Sequence, residues 1–178
     1  MTTVETAREG KHILIYADGS CGGNPGPGGY AAVLRRMDGA TVLKPRCVRG
    51  QSPEETTNVR MEMTAAARAL EEVKPGEPEP IVIYCDNQLV VKGMTEWLPN
   101  WIANGWKGSD RKPVANRDLW ERLIAATEGK IIEWRWVKGH AGHPYNEEVD
   151  RLARAQMEKA RKQVQSAQAA MYGFTAAA

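Results

Sequence analysis

Two short apolar runs constrain this chain more than any other feature: HILIYA at residues 12–17 and IVIYC at Ile81–Cys85, each stopping at an aspartate. Runs of that length, bounded by turn residues and rich in β-branched and aromatic side chains, read as strands covered on both faces. Asp18 and Asp86 therefore stand at the ends of two buried strands. A sheet of this kind with helices on it gathers its functional groups beyond the carboxyl ends of its parallel strands.

The rest of the chain supplies the other layers. Residues 21–29, CGGNPGPGG, read as loop, because proline and glycine disfavour both helix and ladder. Two β-compatible stretches, 30–37 and 40–48, flank Asp38-Gly39, a hairpin turn signal. Residues 58–73 carry an apolar stripe of Ala65, Ala66, Ala69, Leu70 and Val73, closed by Pro75-Gly76, which predicts a helix. Extending that stripe back one turn puts Glu62 on the buried face. Residues 87–128 read as interrupted helix, punctuated by Pro99, Gly105, Gly108 and Pro113, with Asn116 as a cap for a helix ending near Thr127. Residues 131–137 alternate as a last strand, and a final helix begins near Asn146 with Val149, Leu152, Ala153 and Met157 on one side.

With 178 residues, 42% apolar content and no internal repeat, one compact domain with a helical appendage is expected. The formal charge of +2 neither declares nor excludes a nucleic-acid partner, so a basic patch must be local. Three cysteines at unrelated spacings indicate neither a disulfide framework nor a CxxC zinc site. The polar N-terminus and the lack of an apolar run of membrane-spanning length point to a soluble, cytoplasmic chain without a membrane partner. No contiguous exposed apolar face is evident, so a monomer is the expectation.

Asp18, Glu62, Asp86 and Asp150, the last in the early turns of the final helix, would then converge at one rim. Four like charges in apolar surroundings raise one another's pKa unless a cation holds them. All-oxygen ligands suit Mg²⁺, with Mn²⁺ as an alternative, in place of zinc. Each acid also has a plainer role open to it: a turn residue at Asp18, a strand terminator at Asp86, a dipole-favoured charge at Asp150. Only Glu62 lacks one. The late segment VKGHAGHPYN, residues 137–146, holds His140 and His143, open to reading as metal ligands, as acid–base groups or as a turn.

The stretches YADGSCGGNPGPGGYAAVL, NVRMEMTAAARALE, YCDNQLVVKGMTEWLPNWIANGWKGSDRKPVANRDLWERL and WRWVKGHAGHPYNEEVDRLAR together resemble ribonuclease HI of the bacterial type, in order over about residues 11–158. That resemblance implies the α/β ribonuclease H-like fold: a five-stranded mixed sheet of order 3-2-1-4-5, strand 2 antiparallel, flanked by helices. It also implies a division into a flexible N-terminus at 1–10, a catalytic domain at 11–158, and a helical extension with a frayed Ala/Gln-rich tail at 159–178. The implied activity is metal-assisted hydrolysis of the RNA strand of an RNA–DNA hybrid, leaving a 3′-hydroxyl and a 5′-phosphate. Asp18, Glu62, Asp86 and Asp150 fall on the family's metal-binding carboxylates, holding one or two ions. His140 falls on its mobile histidine, which moves protons or helps product leave, whereas His143 before Pro144 is read as shaping the loop.

The resemblance also implies how hybrid is told from other duplexes. Cys21, Gly23 and Asn24 match a segment that meets the RNA minor groove, and Asn58 and Gln88 match positions that reach between bases and sugars. Thr57 and Asn116 match a pocket for one DNA-strand phosphate, and Trp97 an aromatic surface against deoxyribose. Residues 95–117 resemble a basic protrusion that grips the duplex, retaining Lys107, Arg111, Lys112 and Arg117. The chain departs from the family at Ile102, Ala103, Asn104 and Ala115, where bases are expected, and at Val59, where an asparagine is common. Phosphate binding weaker and less salt-sensitive than in relatives with the full cluster follows. The stretch from Gly26 to Ala31 also fits G-x-G-x-x-A, a dinucleotide fingerprint, but Pro27 removes an amide that phosphate needs and no helix cap follows.

Overall fold

A computed structural model describes residues 9–173. Five strands, β1 (Lys11–Cys21), β2 (Gly26–Asp38), β3 (Thr41–Thr56), β4 (Ile81–Cys85) and β5 (Ile132–Trp136), form one sheet in the order β3-β2-β1-β4-β5. β1, β4 and β5 run parallel, and β2 is antiparallel to both of its neighbours. This is the mixed sheet the sequence implied. Residues alternate between its faces with the period of a strand. Ile13, Ile15, Ala17, Ile81 and Ile83 meet the helix α1 (Asn58–Glu71) and α4 (Arg117–Thr127), burying Leu70, Trp120 and Leu123. Leu14, Tyr16, Val82 and Tyr84 face the other way, toward Val149 of α5 (Pro144–Gly173).

The strands extend further into the glycine-rich segment than the sequence suggested. Gly19 and Ser20 pair with Tyr30 and Gly29, and Cys21 with Gly28, so the loop shrinks to residues 22–25. The reason is steric. A β-carbon on Gly29 would strike the backbone of α5 at Gln156 and Met157, one on Gly28 the side chains of Thr56 and Met61, and one on Gly19 the backbone of α1 at Met61 and Glu62. These glycines are ladder residues because helices press against them. The G-x-G-x-x-A stretch therefore lies within β2 and opens no helix. The hairpin turn falls one residue later than expected, at Gly39–Ala40, with Gly39 at φ +53.

Between β4 and α4 the helix α2 (Gln88–Lys92) runs through a π-helical turn, Gly93–Trp97, into α3 (Leu98–Ala103). A β-carbon on Gly93 would enter the ring of Trp120, so this turn is fitted around a buried indole. Trp101 packs edge-on to Trp120 at 5.2 Å between centroids, and Trp97 lies 5.6 Å from Trp101. α5 continues without a break to Gly173, where a frayed tail was expected. From residue 161 to 171 it is exposed apart from Val164, so this length is helix with little to pack against. Residues 1–8 and 174–178, with the rest of the expected flexible start and frayed end, lie outside the described residues. No helix among the described residues is long and apolar enough to cross a membrane.

Candidate active site

The parallel pairing of β1 with β4 ends at Tyr16 and Tyr84, and the backbone beyond carries Asp18 and Asp86 to the same rim. α1 crosses that rim against Gly19, whose missing side chain brings Glu62 down beside Asp18. One carboxylate oxygen from each of Asp18, Glu62 and Asp86 lies within 4.8 Å of the others. They line an open cleft of about 350 Å³ together with Ser20, Cys21, Asn58, His140, Asp150, Arg154 and Met157.

Burial and mutual repulsion dominate the electrostatics. Asp18 is 5% exposed and Glu62 9%. Removal from water, then the charge of Asp86, pushes the Asp18 carboxyl up to about 7, although it accepts a 2.7 Å hydrogen bond from the Gly19 amide. Burial followed by Asp86 and Asp18 pushes Glu62 up to about 9. Asp86 is raised, chiefly by burial, while a hydrogen bond from Asn146 works the other way. Glu62 Oε2 is buried and has no hydrogen-bond partner. Three converging carboxylates, one with an orphaned oxygen, fit a hard divalent cation.

Asp150 lines the cleft without joining the trio. Its Oδ1 accepts from Arg154 Nε at 2.9 Å, one turn along α5, and its Oδ2 lies 3.9 Å from His140 Nδ1. His140 sits at φ +52 with its side chain 68% exposed. Gly139 lies so close to the Asp86 carboxylate that a β-carbon there would be 2.8 Å from Oδ2. His143 stands apart, lining a separate cavity with Tyr16, Pro144 and Tyr145, and its carbonyl accepts from the Glu147 amide at the start of α5.

Of the expected substrate-contacting residues, Cys21 and Asn58 line this cleft and the others do not. Cys21 donates its thiol to the carbonyls of Gly26 and Thr56 at 3.3 Å, tying the end of β1 to the end of β3, while Gly23 and Asn24 are exposed in the connection. Thr57 caps α1 by accepting from the Arg60 amide at 3.3 Å. Asn58 and Gln88 are exposed at the first positions of α1 and α2. Trp97 is half-buried, and Lys107 and Lys112 are exposed, with Lys107 pairing with Pro113 in an isolated bridge. Asn116 precedes α4 in the left-handed region, φ +58, and its side chain does not cap that helix. Its Oδ1 accepts from Arg60 Nη1 at 3.1 Å instead.

Three residues of the site escaped the sequence reading. Asn146, 2% exposed, bonds to Asp86, and Trp136 Nε1 donates to the Asp86 carbonyl at 2.8 Å. Arg154 is the third, and its spacing of four from Asp150 on a helix was a readable signal.

The chain matches the RNase H family profile over residues 10–158. It is 52% identical over 145 residues to the ribonuclease H of Ruegeria sp. (strain TM1040), covering 82% of this chain and 90% of the relative. It is also 52% identical over 146 residues to the ribonuclease H of Xanthomonas campestris pv. campestris (strain 8004), covering 82% and 92%. Among solved structures it resembles LC9-RNase H1, described as a type 1 RNase H with the type 2 active-site motif, with a TM-score of 0.74 and 33% identity over 85% of this chain and 74% of that one. A profile spanning most of the chain, half-identical relatives, and the carboxylate rim on this sheet agree: the chain belongs to the RNase H family of ribonucleases.

Proposed function

We propose that this ribonuclease hydrolyses the RNA strand of RNA–DNA hybrids as an endonuclease, leaving 3′-hydroxyl and 5′-phosphate ends, with Asp18, Glu62, Asp86 and Asp150 holding one or two Mg²⁺ or Mn²⁺ ions. The observation that carries this reading is the carboxylate trio, with Asp18 and Glu62 buried, whose oxygens lie within 4.8 Å. Unneutralised, such a cluster resists ionisation, and a divalent cation relieves it. When bound, such ions supply Lewis-acid activation of water and stabilise the departing oxygen.

The side chains take separate parts. Asp18, Glu62 and Asp86 form the floor, fixed by Gly19, Asn146 and the Trp136 indole. His140, exposed and 3.9 Å from Asp150, is placed to carry a proton between the cleft and solvent, or to help product leave. The short side chains at Cys21, Gly23 and Asn24 let the backbone approach ribose hydroxyls in a minor groove. Asn58 and Gln88 reach the bases and sugars next to the cut. Thr57 and Asn116 receive a phosphate of the DNA strand, Trp97 lies against deoxyribose, and Lys107 and Lys112 hold the duplex further out. The three free cysteines suit a reducing cytoplasm, and we take the enzyme to act as a monomer.

The test is a cleavage assay with end-labelled RNA–DNA hybrid, duplex RNA and duplex DNA in Mg²⁺, repeated with Mn²⁺. Hybrid alone should be cut, with internal products bearing 5′-phosphates, and Asp18→Asn should abolish cleavage while melting as a folded protein. Equal cutting of duplex RNA, or activity surviving in Asp18→Asn, would refute the assignment.

A further inference from the structure

Arg60, in the first turn of α1, makes four hydrogen bonds that tie the beginnings of two helices together. Its backbone amide donates to Thr57 Oγ1 at 3.3 Å, Nη1 donates to Asn116 Oδ1 at 3.1 Å, and Nη1 and Nη2 donate to the two Asp118 oxygens at 3.0 and 2.7 Å. A guanidinium can only donate, so the amide atom of Asn116 turned toward it is the oxygen and the NH₂ points away. The Thr57 hydroxyl, having accepted the Arg60 amide, keeps its O–H to give. Asn116 makes no capping bond of its own to α4, so its side chain is committed to Arg60. Asp118 fills the rest of the fork and offsets the charge of Arg60.

We propose that Arg60 is the positioning residue of the DNA-strand phosphate pocket: its guanidinium joins α1 to α4 and holds Asn116, alongside Thr57, as a donor for a phosphodiester. The inference rests on the reading of Thr57 and Asn116 given above. It assigns the Arg60 side chain a role exerted through Asn116 and not by its own contact with the phosphate. A plain structural role, the ion pair with Asp118, predicts lost stability and nothing else.

The experiment is steady-state cleavage of hybrid by Asn116→Ala, Arg60→Gln, Arg60→Lys, Asp118→Asn and the Arg60→Gln/Asn116→Ala double variant, with a melting temperature for each. Hybrids carrying one neutral methylphosphonate at successive DNA positions complete the set. Asn116→Ala should raise KM about tenfold with kcat nearly kept, as expected for one lost hydrogen bond to a charged group. Arg60→Gln should raise KM by a similar factor, and the double variant should stay within about twofold of either single, since coupled residues are not additive. Arg60→Lys should fall between wild type and Arg60→Gln. Asp118→Asn removes the ion pair but keeps the bond to Asn116, so it should melt earlier with less than about a twofold change in KM. One methylphosphonate position should weaken wild type and leave Arg60→Gln unaffected. If Asn116→Ala raises KM while Arg60→Gln does not, or the two effects multiply, the role given to Arg60 is overturned and the pocket stands. If neither Asn116→Ala nor any methylphosphonate raises KM, the pocket reading fails and the inference with it. Should Arg60→Gln fail to fold, Arg60→Lys combined with Asn116→Ala supplies the same cycle.

Discussion

The Glu62 carboxyl, held near 9 against an ordinary 4.5, and Asp18, near 7 against 3.8, set the pH behaviour of the protein without metal. At these two groups the folded chain keeps protons that the unfolded chain releases, so their contribution to folding stability is full below the ordinary carboxylate range and is lost as pH rises toward 9. Glu62→Gln should therefore flatten that decline and stabilise the metal-free protein at pH 8 by on the order of 3 kcal/mol, read from urea melts in EDTA. Wild type should melt higher when Mg²⁺ is added, and the same variant should lose most of that rise. A variant no more stable than wild type under EDTA would mean that Glu62 is not under electrostatic stress. Gly19 offers a steric counterpart. Because a β-carbon there would collide with the Met61–Glu62 backbone, Gly19→Ala should destabilise by about 3 kcal/mol and weaken metal binding in calorimetry, by pushing α1 off the rim.

Helices and strands show where sequence was enough and where it was not. Periodicity placed Glu62 on the buried stripe of α1, and strand endings placed Asp18 and Asp86, because burial on one face leaves a repeating trace. The glycines of β1 and β2 misled, since their fitness for a ladder depends on helices pressing on them from elsewhere in the chain. Asn116 misled in a similar way: it occupies the cap position, but the partner its side chain takes lies 56 residues earlier, at Arg60. The burial of Asn146 depends on how α5 seats across β1 and β2 and brings it beside Asp86, which no local pattern encodes. Lys130 is another contact invisible from sequence. Its ammonium donates to the carbonyls of Leu70 at 2.8 Å and Ala126 at 2.6 Å, closing the ends of α1 and α4 with one charge. Lys130→Met should lower stability by about 2 kcal/mol with kcat retained, as a thermal melt and a cleavage assay would show.

On the scale of the molecule, the basic protrusion and the long α5 make opposite demands on experiment. The protrusion keeps Lys107, Arg111, Lys112 and Arg117 but lacks bases at 102–104 and 115, so hybrid affinity should fall less steeply with salt than in a relative carrying the full cluster. The log–log slope should be shallower by about 0.9 for each missing phosphate contact, measured by anisotropy with Asp18→Asn enzyme. A slope as steep as the relative's would refute it. By contrast, deleting residues 162–178 should shift the melting temperature by less than about 2 °C, because the described part of that helix is largely exposed.

The orphaned Oε2 of Glu62 has a final consequence. At pH 7.5 the emptied cleft carries hydrogen on a side chain that must shed it before an ion can settle there. Uptake of a divalent cation by this protein should therefore also be an acidification: in a weakly buffered solution each molecule should eject about one H⁺ on loading. A glass electrode could thus follow occupancy of the cleft with no substrate present.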